Sequence, residues 1–291
     1  MRRLFLFITL LEIFCNCSFA TNRALLVGIG KYKSDTGWKN IHGDADVELL
    51  KPKLEKHGFV VYSLINEEAT KEAIQRALTR LKEECQPGDK IYFHFSGHGQ
   101  PIIDGNGDEN NNLDEAMIPY DAGKYYIEGK YEGEKHLIDD EYNQVLAEIK
   151  RKIGKSGEFF MAVDACHSRG MERGGDSEDI EDMDILNSAR GTDDEFIFKG
   201  QIPNSLIDKP LPQSLNMGAK LIVVSACKED ERNYEYKTAS GKMYGSLSYC
   251  ISELLKVNVD FNKWVEYFQD EQYRKQKIFQ LSQHPSIVIY D

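Results

Sequence analysis

The stretch FFMAVDACHSRG, residues 159–170, runs five apolar residues directly into an acid, a thiol and an imidazole. A second stretch, KIYFHFSGHGQ at 90–100, also ends in polar and glycine residues after a strand-length apolar run. The first stretch carries Cys166 and the second carries His98. Either pattern alone is weak evidence for a catalytic residue, because a lone cysteine at a strand end is usually a small core residue. Their meaning depends on whether the fold brings the two strand ends together.

Apolar runs of strand length recur along the chain, at 24–29, 59–65, 91–95, 159–163, 221–225 and 286–290. Most are continuous, which is typical of strands covered on both faces in mainly parallel sheets. Helical patterns lie between them, at 44–58, 70–85, 139–154, 245–257 and 260–277. This alternation predicts an α/β fold, a mainly parallel six-stranded sheet flanked by helices.

Charge narrows the class of partner. The 291 residues carry a formal net charge of −12, with 41% hydrophobic residues. Nucleic acids and anionic membranes favour a basic face, so neither is expected to be the main partner. The charge is compatible with a cationic substrate. The oligomeric state stays open.

The first twenty residues have the pattern of a cleaved signal peptide. Arg2 and Arg3 precede the apolar run at 4–11, and Ser18-Phe19-Ala20 offers small residues before a cleavage point. The run is shorter than the about 20 residues that span a bilayer, so no stable membrane insertion is expected. We therefore predict a signal peptide at 1–20, a folded domain at 21–291, and a secreted or periplasmic protein.

Two segments show neither the strand nor the helix pattern of apolar residues. Residues 101–115 are rich in Gly, Asn and Asp and predict a polar loop. The longer segment, about 169–218, is acidic and weakly apolar. Such a long irregular connection is usually functional or disordered. We call it the acidic linker.

Cys166 and His98 have the chemistry of covalent thiol catalysis. Each follows its predicted strand by three residues, and ligands gather at the carboxyl ends of parallel strands. A thiolate is the nucleophile, and a nearby imidazole can take and return the proton. The N–H groups of Gly99 and Cys166 are candidate donors to a developing oxyanion. His167 is predicted to be structural and His94 a packed ring.

FHFSGHG followed by VDACHSRG resembles the signatures of caspase-like cysteine peptidases, and most closely the metacaspase and orthocaspase branch. Further ordered matches are ALLVGIGKY, GDADVELLKPKLEKHGFVV, LIDDEY, LIVVSACKEDE and YGSLSY. The resemblance covers nearly the whole chain after residue 20. It implies a caspase-like three-layer sandwich, a catalytic dyad of His98 and Cys166, and protein or peptide substrates, with no cofactor required for the chemistry.

The resemblance also implies a substrate pocket that selects Arg or Lys. Asp46 and Asp164 stand where the branch has the acids of that pocket, and Ser96 is its third polar member. Paired carboxylates in a confined space repel each other unless a cation lies between them. A guanidinium suits such a site well. The alternative for Asp46 is an acid that stabilises a helix start.

Arginines in or near the acidic linker suggest self-processing, because relatives often cut themselves there. The candidates are Arg169, which departs from the family's usual Gly, together with Arg173 and Arg190. Calcium activation is implied by many metacaspases, with Asp108, Asp139 and Asp140 as the candidate acids. Residues 104–115 follow EF-hand spacing, but Glu109 replaces the required glycine and no flanking helices are predicted.

Three competing interpretations stay open from the sequence. The first is a legumain-like peptidase that prefers Asn, although its motifs differ around both dyad members. The second is a catalytically silent caspase-like domain used for binding or scaffolding, although such domains usually lose the His or the Cys. The third is a secreted calcium-binding module, which leaves the dyad unexplained.

Overall fold

The computed structural model describes residues 20–103, 113–165, 188–191, 217–228, 231–274 and 283–291. Residues 1–19 of the predicted signal peptide and most of the acidic linker therefore lie outside the described residues. None of the described helices is long and apolar enough to cross a membrane.

A six-stranded sheet forms the centre of the molecule. Its strands are β1 (Asn22–Gly28), β2 (Phe59–Ile65), β3 (Lys90–Ser96), β7 (Glu158–Asp164), β8 (Lys220–Ser225) and β11 (Ser286–Tyr290). The order across the sheet is β2-β1-β3-β7-β8-β11, and only β11 runs antiparallel to its neighbour. All six predicted strands are confirmed, as is the mainly parallel sheet.

Helices cover both faces of this sheet. They are α1 (Gly43–Lys56), α2 (Lys71–Glu84), α3 (Asp139–Ile153), α4 (Ser246–Leu254), α5 (Phe261–Gln269) and α6 (Glu271–Arg274). Because side chains alternate along a strand, Leu25 and Val27 of β1 pack towards α2 and α3, whereas Ala24 and Leu26 pack towards α1, α4 and α5. The result is the three-layer sandwich that the resemblance implies.

Local signals in the sequence explain the helix limits. The Thr70 hydroxyl accepts from the Ala73 N–H at the start of α2, and Asp260 caps α5 in the same way. Gly58 and Gly154 follow α1 and α3 with φ of +78° and +67°, a conformation that glycine adopts without strain. The pattern predicted at 260–277 is interrupted at Asp270, which separates α5 from α6.

Short strands lie above the carboxyl edge of the main sheet. Strands β4 (Gly99–Ile103), β5 (Leu113–Met117) and β6 (Leu137–Ile138) form one antiparallel sheet, and β9 (Glu235–Lys237) pairs with β10 (Met243–Gly245). The polar loop predicted at 101–115 was therefore too wide, because both of its ends pair as strands. Strands flank 104–112, whereas helices flank the loop of an EF-hand.

Candidate active site

The two decisive stretches leave the sheet side by side. Strands β3 and β7 are parallel neighbours, and Ser96 pairs with Asp164 at their carboxyl ends. The N–H of Gly97 donates to the Asp164 carbonyl at 3.3 Å, so the contact continues beyond the last strand residue. Ala165 is the last described residue of this segment, and Cys166 and His167 lie outside the described residues. His98 and the residue before Cys166 thus emerge at one edge of the sheet.

His98 is buried, and its ring is fixed on several sides. Its Nε2 lies 2.8 Å from the Lys39 carbonyl, and its own N–H donates to the Tyr32 hydroxyl at 2.7 Å. Trp38 stacks on the imidazole with ring centroids 4.8 Å apart. Because a carbonyl only accepts, Nε2 carries the proton and Nδ1 is the bare nitrogen of the neutral ring. Within the described part of the chain, nothing hydrogen-bonds to this buried Nδ1.

The protonation state of His98 follows from its burial. Removal from water lowers its pKa to about 4, a shift that the hydrogen bond to the Lys39 carbonyl opposes and the charge of Arg190 reinforces. The ring is therefore neutral at pH 7. A neutral imidazole with a bare nitrogen is able to accept a proton from an acid placed beside it.

Asp46, Ser96 and Asp164 meet around a single cation, the side chain of Arg190. The Nη2 of Arg190 lies 2.8 Å from Asp46 Oδ2, and its Nη1 lies 3.7 Å from Asp164 Oδ1. Nη1 also donates to the Ser96 hydroxyl at 2.5 Å, and that hydroxyl donates to Asp46. All four side chains are buried. The three predicted pocket residues thus surround an arginine of the same chain.

A third carboxylate completes the pocket. Glu235 at the start of β9 accepts from Arg190 Nη2 at 2.7 Å, and its side chain is fully buried. His42, the residue before α1, contacts both carboxylate oxygens through its N–H and its Nδ1, at 2.7 and 2.6 Å. Sequence reasoning gave neither residue a role.

Neighbouring groups fix the aspartates. Asp164 accepts from the N–H and the hydroxyl of Ser248, both at 2.7 Å, and from Asn233 at 2.8 Å. Because the Ser248 hydroxyl donates to Asp164, it accepts from His94 Nε2, 2.9 Å away. The Tyr92 hydroxyl in turn lies 2.8 Å from His94 Nδ1. His94 is the packed ring that was predicted, and it orients the pocket.

Gly245 forms one wall of the pocket. Its N–H donates to Asp46 Oδ1 at 2.9 Å. A Cβ added at this position would lie 2.1 Å from Asp164 Oδ2 and 2.6 Å from Arg190 Nη1. Only glycine leaves room here for both the acid and the guanidinium.

The charges in the pocket depend on one another. Burial raises the pKa of Asp46 to about 6 against the opposing attraction of Arg190. Burial also acts against the charge of Arg190, but the three carboxylates outweigh it and raise its pKa. For Glu235, burial is outweighed by Arg190 and His42, which lower its pKa. The cation therefore offsets the repulsion among the buried carboxylates.

The main chain of 188–191 lies against the site and is held by several hydrogen bonds. The Arg190 N–H donates to the Asn233 carbonyl at 3.0 Å, and the Arg190 carbonyl accepts from the Gly99 N–H at 3.4 Å. Gly191 forms a parallel bridge with Gly99, and the Glu235 N–H donates to the Ser188 hydroxyl. The Arg190 carbonyl thus faces the N–H of Gly99, a predicted oxyanion donor, while the Arg190 side chain lies among the carboxylates.

The other candidate residues are less well defined. Arg169, Arg173 and Asp108 lie outside the described residues, as does the side chain of Asp140. Asp139 and Asp140 begin α3. Within the ranges that the structure describes, no group of three or more His, Cys, Asp or Glu side chains could hold a metal ion.

Some site residues carry no motif that sequence reasoning could use. Glu235 lies among other charged residues in CKEDERNYEYK, and nothing marks it as buried. Tyr32 and Trp38 offered a weak signal, because aromatic residues are unusual in a polar loop that follows a strand. Gly245 lies within YGSLSY, a matched element without an assigned role.

Comparison with known proteins agrees with this architecture. The caspase domain model matches residues 21–289. Metacaspase-3 of Arabidopsis thaliana is 28% identical over 256 residues, covering 82% of this chain and 60% of its own length. Metacaspase-2 of the same plant is 32% identical over 154 residues, covering 50% of this chain and 34% of its own length.

A more distant relative and a solved structure extend the comparison. Metacaspase-1 of Plasmodium falciparum is 26% identical over 255 residues, covering 84% of this chain and 36% of its own length. The chain thus spans between about a third and three-fifths of these curated relatives. A crystal structure from Geobacter sulfurreducens matches with a TM-score of 0.59 at 18% identity, covering 92% and 93% of the two chains, and shows the fold alone. The chain belongs to the caspase-domain family of cysteine peptidases, in its metacaspase branch.

Proposed function

We propose that this protein is a cysteine endopeptidase that hydrolyses peptide bonds after Arg or Lys, with Cys166 as nucleophile and His98 as its proton acceptor and donor. One observation carries the proposal. Arg190 is buried among three carboxylates while its carbonyl faces the Gly99 N–H, in the arrangement expected of a bound substrate. Its substrates are proteins or peptides with an accessible basic residue.

The first chemical step forms an acyl-enzyme. His98 Nδ1 takes the proton of the Cys166 thiol, and the thiolate attacks the carbonyl carbon of the basic residue. The carbonyl oxygen becomes an oxyanion that the N–H groups of Gly99 and Cys166 stabilise. His98 then gives the same proton to the leaving amine as the C–N bond breaks. Water hydrolyses the resulting thioester, and His98 acts again as base.

The same geometry supports cleavage of the protein's own chain. Of the three arginines proposed for self-processing, Arg190 lies in the pocket, and the Arg190–Gly191 bond follows the carbonyl that faces the Gly99 N–H. We therefore assign self-cleavage to this bond. Because the segment is already bound in the same molecule, the reaction is expected to be independent of protein concentration.

A mass map of the intact chain tests this assignment. Wild type is expected to yield one fragment ending at Arg190 and another beginning at Gly191, and Cys166→Ala is expected to stay intact. Arg190→Gln should remove this cut, whereas Arg169→Gln and Arg173→Gln should leave it in place. Identical fragmentation of wild type and Cys166→Ala would refute self-cleavage.

Peptide cleavage in trans tests the wider function. Residues 21–291 are assayed with peptides that differ only in Arg, Lys, Asp or Asn before the cut, with Cys166→Ala as blank. Hydrolysis after Arg or Lys is expected. A preference for Asn would favour the legumain-like alternative, and a folded protein inactive on all four would favour the silent binding domain.

Calcium activation and secretion are further parts of this proposal. Calcium rests on the family resemblance alone, and a chelator that leaves peptide hydrolysis unchanged would dismiss it. Secretion rests on the pattern of residues 1–20. The Thr21 N–H donates to buried Asp89 at 2.7 Å, so cleavage after Ala20 would place a new ammonium group beside a carboxylate. Amino-terminal sequencing of the exported protein tests this, with Thr21 expected first.

A further inference from the structure

We propose that Glu235 makes the pocket select arginine over lysine, and that His42 positions Glu235 for this task. The inference rests on the proposed peptidase function and refines its substrate class. Arg190 is taken as the stand-in for the substrate's basic residue.

Both terminal nitrogens of the guanidinium are used, and by different groups. Nη1 donates to the Ser96 hydroxyl and, at 3.3 Å, to the Asp164 carbonyl. Nη2 lies 2.7 Å from Glu235 Oε1 and 2.8 Å from Asp46 Oδ2. Glu235, which lies on β9, therefore contacts the terminal nitrogen Nη2. A planar fork of donors fits such a divided set of acceptors.

A lysine in the same pocket could not reach the same contacts. Its single nitrogen corresponds in chain length to the guanidinium carbon, one bond short of both Nη1 and Nη2. An ammonium at that point loses the close contact with Glu235 while its charge is still removed from water. The Arg190 Nε, nearer the backbone, has no hydrogen-bond partner within the described part of the chain, so the described acceptors lie at the far end. That distribution favours the longer, forked side chain.

His42 holds the Glu235 carboxylate in this orientation. The N–H of His42 and Arg190 Nη2 share Oε1, and His42 Nδ1 occupies Oε2. The side chain of Glu235 is fully buried, whereas that of His42 is half exposed. A substitution at His42 therefore removes the Nδ1 contact to Glu235 with little loss of core packing.

The chain offers a matched control pair outside the pocket. Glu231 is bound by His284 in the same two-point manner, through the His284 N–H and Nδ1, both at 2.6 Å. Its carboxylate makes no ion pair with Arg190 among the described residues. Changes at Glu231 thus report the general effect of losing a Glu–His contact.

The test is the ratio of kcat/KM for two peptides that differ only in Arg or Lys before the cut. Glu235→Gln is expected to lower this arginine-to-lysine ratio about tenfold, because a hydrogen bond to a charged group is lost in its charged form. The loss should appear mainly in KM for the arginine peptide. Glu231→Gln is expected to leave the ratio unchanged. An active Glu235→Gln protein with the wild-type ratio would overturn the inference and leave the peptidase function standing.

The role of His42 is tested by loss and rescue. His42→Ala is expected to lower the ratio, and His42→Asn to retain it, because the Asn amide nitrogen can donate from the place of Nδ1. Equal ratios in His42→Ala and wild type would refute the positioning role. If Glu235→Gln fails to fold by circular dichroism, the His42 pair decides the inference alone. Wild type inactive on both peptides would instead refute the proposed function.

Discussion

Removal of the Arg190 side chain is the most direct test of the acidic pocket as an energetic unit. Arg190→Ala, made in a Cys166→Ala background to prevent any cleavage, leaves Asp46, Asp164 and Glu235 buried without their shared cation. Removing one partner of a buried ion pair typically costs about 3–5 kcal/mol. The three carboxylates differ in how well they tolerate that loss.

Asp46 is expected to carry most of the penalty. Asp164 keeps three donated hydrogen bonds from Ser248 and Asn233, and Glu235 keeps two from His42. Among the described residues, Asp46 keeps two neutral donors, the Ser96 hydroxyl and the Gly245 N–H. Water entering the emptied space relieves part of the repulsion, which favours the lower end, about 3 kcal/mol at pH 8.

The penalty should depend on pH with a defined sign. The pKa of Asp46 is already raised to about 6 with Arg190 present, and loss of the cation raises it further. Stability from a group whose folded pKa is raised is present below its unfolded value and is lost as pH rises through the folded value. Arg190→Ala should therefore destabilise the protein less at pH 5 than at pH 8, by up to about 1.4 kcal/mol per pH unit in that window.

Urea denaturation of paired proteins at pH 5 and pH 8 measures this difference. Taking the difference between variants at each pH removes the titration of groups that both proteins share. Arg80→Ala is the control, since Arg80 forms an exposed pair with Glu84, and such surface pairs contribute little to stability. Agmatine, which carries a free guanidinium, should restore stability to Arg190→Ala by binding the emptied pocket. A loss below about 1 kcal/mol, or one equal at both pH values, would refute the argument.

Three further predictions concern the pocket wall, the His98 ring and acid stability. Gly245→Ala should lower kcat/KM for arginine peptides about a hundredfold with the fold retained, because the new methyl meets Asp164 and the bound guanidinium. Trp38→Ala should admit water to His98 and raise its lowered pKa, which moves the acidic limb of the kcat–pH profile to higher pH; an unmoved limb would contradict this. Burial lowers the pKa of His94, His98 and His136 to about 4, 4 and 3. Each should remove about 2 kcal/mol of stability between pH 6.5 and pH 5, because the unfolded chain binds the protons first, and urea melts across that range give the slope.

The central sheet could be predicted because its signal is local. Each strand is a continuous apolar run between polar breaks, and the parallel arrangement requires only that helices alternate with strands. The short strands β4 and β5 escaped prediction because they contain residues that are rare in strands, such as Gly99, Pro101 and Asp114, and because their pairing depends on the chain returning across residues 104–112. A strand of five residues is also too short for an alternating apolar pattern to be recognised.

The pocket residues also differ in whether a local sequence signal marks them. Asp46, Ser96 and Asp164 each stand in or beside a recognisable family motif, so the resemblance could assign them to one pocket, and the structure brings them together. Glu235 and His42 are 193 positions apart and meet only because β9 folds back over the start of α1. No spacing rule links them. A buried acid in a charge-rich segment cannot be distinguished from its exposed neighbours without the contacts that bury it.

In the proposed function, the contacts that bind a substrate arginine are the ones that hold Arg190 in this structure. Arg190 contributes to stability through the same three carboxylates that a substrate would have to reach, and its carbonyl lies on the same Gly99 N–H. An external arginine peptide must therefore displace a residue of the same chain, and the binding of that residue does not depend on protein concentration. Substitutions that weaken the pocket, such as Glu235→Gln, loosen the tethered arginine and the external one together. Their cost in KM is consequently smaller in the intact chain than in one whose Arg190 has been replaced.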